Sequence, residues 1–165
     1  MTSAAPRLPT RRALHELSIR LARDRHVVEF SRSLVASPRA RDRLARIAAT
    51  FSFVSTLVNT PGATRRPARD GVGALLAIVG EREGPAVILC ALLQALGERA
   101  SVVPAPAMPF VRVEVGLQDI RRLPPYARLF AARERYYIPL DPRRPRWPIG
   151  FLAPPARVGP GMARA

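Results

Sequence analysis

The sequence predicts an α+β domain in which N-terminal helices and a buried central helix pack on a small antiparallel sheet. Three observations point there. Residues 84–96 contain one polar side chain, Gln94, among Ala86, Val87, Ile88, Leu89, Leu92, Leu93 and their neighbours, which is the pattern of a helix enclosed by protein. Downstream, residues 110–117 alternate polar and apolar like a half-buried strand, and residues 135–141 give another strand after the short Ser101-Val-Val run within 99–103. Upstream, apolar residues recur at helical spacing and strand signals are absent.

In chain order, residues 1–9 are small and proline-bearing, and read as a disordered lead-in. Thr10 caps a helix running to about Asp24, with Leu14, Leu17 and Leu21 on one face and arginines on the other. His15, near its start, reads as a solvated or packing residue rather than a ligand. A second short helix follows over residues 26–35. Ser37-Pro38 supplies a cap and a proline for the first turn of a long amphipathic helix. Its apolar stripe is Leu44, Ile47, Ala48, Phe51, Val54 and Val58, it ends at Thr60-Pro61-Gly62, and Arg39, Arg41, Arg43 and Arg46 belong to its outer side. A loop over 61–71 and a short helix over 72–79 lead to Gly80. Pro85 then opens the central helix and Gly97 stands where a left-handed cap is needed. Because the connections between the three strands lack a crossover helix of sufficient length, their pairing is expected to be antiparallel. Residues 118–134 hold Pro124-Pro125 and a helical turn, and 156–165 form a flexible tail.

Composition narrows the function classes. With 165 residues and 48% hydrophobic content the chain supports one domain with a real core, here 10–155, comprising a helical part (10–60) and a core (72–155). The net charge is +15, and every one of the 27 basic residues is arginine. Arginine at the expense of lysine is also what codon bias in a GC-rich genome produces, so the charge is partly compositional; the field still favours acidic surfaces and nucleic acid. A single cysteine excludes an internal disulfide and a multi-cysteine metal site, and His15 and His26 are the only imidazoles, so neither metal nor cofactor is expected. The longest apolar run, Pro85 to Leu93, is far short of the ~20 residues of a membrane helix. The N-terminus lacks the apolar stretch of a secretory signal and resembles a transit peptide only weakly, so a cytoplasmic location is expected.

Three segments together carry a resemblance. Gly80-Glu81-Arg82-Glu83 followed by a helix ending Ala91-Leu92-Leu93-Gln94-Ala95-Leu96-Gly97 resembles the nucleophile region of bacterial transglutaminase-like proteins, a papain-like pattern of G-D-C-D-D before an apolar helix. Phe110-Val-Arg-Val-Glu-Val resembles that family's H-V-W-V-E-V strand, and Tyr137-Ile-Pro-Leu-Asp141-Pro142 its strand ending L-D-P. The proline-rich 146–155 is similar to the ending of some members, so the match spans about residues 38–155. The resemblance implies a papain-like core in which Arg82 replaces the nucleophilic cysteine, Phe110 replaces the histidine base and Asp141 retains the orienting carboxylate. A guanidinium has no usable lone pair, so nucleophile and base are both lost. Cys90 lies eight residues beyond Arg82, about 12 Å along the helix at ~1.5 Å per residue, in apolar surroundings that disfavour a thiolate.

The expectation is therefore a catalytically inactive transglutaminase-like domain acting as a protein-interaction or scaffold subunit, with Arg82, Phe110 and Asp141 as relic positions and an ion pair expected between Arg82 and Asp141. Its partner is an unidentified protein, and nonspecific contact with nucleic acid or acidic surfaces is a further expectation. One alternative is an arginine-rich nucleic-acid-associated protein, for which the sequence displays neither a groove-reading motif nor interleaved aromatics. A second is an active acyl-transfer or amidase enzyme with relocated residues.

Overall fold

The computed structural model describes residues 10–36, 40, 42–60, 82–105, 108–125 and 127–144. The lead-in 1–9, the Ser37-Pro38 helix start, the 61–71 loop, the 72–79 helix, Gly80 and Glu81 of the motif, and the tail from 146 lie outside the described residues. Within them the chain is α+β, with five helices and a four-stranded antiparallel sheet.

Helix α1 (Arg11–Ala22) begins where Thr10 accepts a hydrogen bond from the Ala13 amide, as its sequence position requires. Asp24 caps α2 (Arg25–Leu34) by accepting from the amides of His26 and Val27. The long helix α3 (Arg43–Asn59) starts later than expected. Its cap is Asp42, whose carboxylate accepts from the Ala45 amide at 2.9 Å and from Arg122 at 2.7 Å. These two bonds, the backbone one first, hold Asp42 below the usual carboxylate range.

Helix α4 (Gly84–Ala95) is the centre of the molecule. Every residue from Gly84 to Leu93 is buried, with helices α1, α2 and α3 against one side and strands β1 (Ala100–Val103) and β2 (Phe110–Val115) against the other. Pro85 sits in the first turn, where a missing N–H costs nothing. At the far end Gly97 adopts φ +85°; its amide donates to Gln94 O and the Glu98 amide to Leu93 O, a Schellman closure that only glycine enters without strain. Gln94, the single polar side chain, donates to the Ala100 carbonyl at 2.9 Å and so stitches the helix to the strand that follows it.

A one-turn helix α5 (Leu117–Ile120) follows β2, and then strands β3 (Phe130–Ala132) and β4 (Arg135–Leu140) complete the sheet in the order β1-β2-β4-β3. All three pairings are antiparallel, as the short connections required. Strand β3 is an addition to the expected three. It is joined to β4 by Arg133-Glu134, both with positive φ (49° and 62°), a two-residue turn built without the glycine or asparagine that normally announces one. The register sets Val111, Val113 and Val115 on the face that meets α4 together with Val102, Ile138 and Leu140, all buried.

One expected placement is corrected. Arg43 does not belong to a wet outer side of α3. Its guanidinium donates to Glu98 (Nε to Oε2, 2.8 Å), to Asp119 and to the Glu114 carbonyl (2.7 Å), so it binds α3 to the α4–β1 turn, the end of β2 and α5. Arg39 and Arg41 lie outside the described residues.

Candidate functional site

The positions singled out from the sequence gather at one end of the sheet. Arg82 and Glu83 stand at the start of α4, Phe110 is the first residue of β2, and Asp141 directly follows β4. One step beyond the Val111–Leu140 pair, the β2–β4 register sets Phe110 opposite Asp141. Three segments distant in sequence thus approach one sheet end through the β2–β4 register and the bonds of Arg143.

Arg143, which sequence reasoning did not single out, joins these corners. Its guanidinium donates to the Arg82 carbonyl and to the Met108 sulfur, while its backbone amide donates to Asp141 Oδ1 at 3.1 Å. Burial lowers the Arg143 guanidinium from the usual arginine range, opposed by the negative charges of Asp141 and Glu83 and reinforced by the positive charge of Arg82. Arg82 itself lies 3.8 Å from Glu83, and Asp141 lies 3.6 Å from Arg144. The turn carrying Asp141 is anchored from a third direction, since Asn59 near the end of α3 donates to the Pro142 carbonyl at 3.2 Å. The signal available in the sequence was the Asp141-Pro-Arg-Arg run, in which an aspartate closes a turn on the amide two residues on.

Phe110 fills its position with apolar volume. Its ring stacks on Phe130 of β3, with centroids 6.4 Å apart and an interplanar angle of 29°. By strand alternation both belong to the sheet face opposite the valines.

Cys90, the chain's one thiol, is fully buried in the middle of α4, and burial pushes it up to about 11, only partly offset by contacts with Ser18 and the Val102 backbone. A thiol in that state is neither nucleophile nor metal ligand at neutral pH. No cluster of metal-ligating side chains exists among the described residues, and no helix there is long and apolar enough to cross a membrane. A cavity of about 410 Å³ beside the Arg43 hub is lined by Arg43, Arg46, Glu98, Arg99 and Glu114. Its central cation is already bonded to two carboxylates and a carbonyl, so this is a structural junction.

The described residues at the sheet end offer charges of both signs and a packed aromatic pair. Replacing Arg143 by methionine is expected to destabilise the fold by about 1–2 kcal/mol, because the Arg82 carbonyl loses its donor. In a double-mutant cycle with Asp141→Asn, read by chemical denaturation, the coupling is expected at about 0.5–1 kcal/mol. A coupling of zero would make the two corners independent. The chain matches no family model, no curated protein and no solved structure.

Proposed function

We propose that this chain is a catalytically inactive transglutaminase-like domain that acts by binding, as a protein-interaction or scaffold subunit. The observation that carries the reading is that Arg82, before the buried helix, and Asp141, after β4, are joined through Arg143 at the sheet end where β2 begins with Phe110, although the Phe110 ring lies on the sheet face away from α4. A cysteine acyl-transfer site needs a nucleophile at the position of Arg82 and a base at that of Phe110. Here the first is a guanidinium and the second a phenyl ring, and only the carboxylate remains. Cys90 offers no substitute, since its thiol lies in the core on the far side of two helical turns.

The expected result with amide and ester substrates is no turnover. Thiol reagents should label Cys90 slowly in the native protein and at once after unfolding. Rapid native labelling, with turnover lost in Cys90→Ala, would overturn the reading. The raised thiol also gives a pH signature. Below the ordinary thiol value of 9.0 the folded and unfolded states bind the same proton. Between 9 and about 11 the unfolded thiol ionises first, so stability falls with rising pH by about 1.4 kcal/mol per unit. Cys90→Val should remove that part of the slope. A packed protein partner should survive, in a pull-down, salt that strips nonspecific polyanions.

A further inference from the structure

We propose that the sheet face opposite α4 binds single-stranded nucleic acid, an assignment independent of the transglutaminase-like reading. Strand alternation and register put Ser101, Phe110, Arg112, Glu114, Phe130 and Tyr137 on this face. Their positions are scattered over 37 residues of chain, and only the antiparallel pairing brings them together.

Two stacking stations result. At one, Phe130 is 41% exposed and backed by the Phe110 ring, so an outer aromatic surface is held by a second ring behind it. At the other, the Arg112 guanidinium lies over the Tyr137 ring at 4.8 Å from its centroid, fixed there by a 2.8 Å hydrogen bond from Nε to Ser101 Oγ. A guanidinium held over an aromatic ring is a planar cation on which a base can stack, and unpaired bases stack on such planes and on phenyl rings alike. Arg99 and Arg135 flank the platform with side chains 70% and 55% exposed. The one acid among them, Glu114, is neutralised by ion pairs with both (3.2 and 3.1 Å). Three arginines against one carboxylate, within a chain of net charge +15, suit a polyanion that also carries exposed π-faces. A protein partner with an acidic surface would satisfy the charges and leave the rings unexplained.

The test uses the full chain and fluorescein-labelled 12-mers of dT and rU, read by anisotropy at several salt concentrations. Both strands are expected to bind, and the ratio of their affinities identifies DNA or RNA as the preferred source. A 12-base-pair duplex, inorganic polyphosphate and a poly-glutamate peptide should bind or compete at least about tenfold more weakly, because none of them presents an unpaired base. Phe130→Ala should weaken binding by about tenfold, whereas Phe130→Trp should retain it. Arg112→Gln should cost as much as Phe130→Ala. The pair Arg12→Gln and Arg25→Gln, on the helical side and highly exposed, removes twice the charge and should cost less than threefold. Thermal unfolding confirms that each variant is folded. Equal affinity for duplex, polyphosphate or poly-glutamate, or wild-type affinity in Phe130→Ala, would overturn the proposal, as would the absence of binding.

Discussion

Arg43→Met should cost about 3 kcal/mol of stability. The guanidinium satisfies three acceptors from three separate parts of the chain: the Glu98 carboxylate, the Asp119 carboxylate and the Glu114 carbonyl. Glu98 is only 8% exposed, so removing its partner leaves a carboxylate with little access to water. Burial by itself would lower the Arg43 guanidinium, but the bonds to Glu98 and Asp119 outweigh it and leave it raised, which is the signature of a cation more stable here than in water. Arg43→Lys keeps the charge and loses the fork, so it should recover less than half of the loss. In the double variant Arg43→Met with Glu98→Gln the two costs should fall short of their sum by more than about 1 kcal/mol. Chemical denaturation of the four proteins decides the matter. A single-variant loss under about 0.5 kcal/mol would mean that solvent already screens the hub.

That hub also marks the limit of what the sequence discloses. Arg43 is the first residue of α3, and local periodicity assigns an arginine there to the outside. Its actual surroundings are made by Glu98, Glu114 and Asp119, between 55 and 76 positions away, and no pattern within the helix encodes them. The reverse holds for α4, whose burial follows from its own composition, and for Gly97, whose φ follows from its place after the last apolar residue. Strand β3 escaped because it has three residues and a turn of Arg133-Glu134, two side chains that rarely accept positive φ. At the sheet end, the sequence singles out Arg82, Phe110 and Asp141 but not Arg143, which links Arg82 with Asp141. The basic and aromatic face was invisible for a related reason. Its rings and arginines alternate along the chain, but at gaps of 2 to 18 positions that follow no local period, and they become neighbours only through register.

The other large effect concerns the core. Leu89→Ala should cost about 3–5 kcal/mol, near the top of the range for such truncations. How much of the lost volume the surroundings recover decides where in that range a site falls. Leu89 is completely buried in a helix held between two layers, with α1, α2 and α3 on one side and β1 and β2 on the other. A single neighbouring helix can slide into a void; a helix tied at one end by the Schellman closure and stitched to β1 through Gln94 has less freedom to do so. Leu96→Ala, only partly buried at the helix end, should cost under about 1.5 kcal/mol and serves as the comparison. Against a total of about 5–15 kcal/mol for a domain, the first change consumes a large share, so the urea midpoint should drop steeply while the m-value stays constant. If Leu89→Ala and Leu96→Ala shifted the midpoint equally, α4 could not be the enclosed centre of the fold. The sheet end that Arg82 shares with Asp141 would then lose the rigid element that positions it.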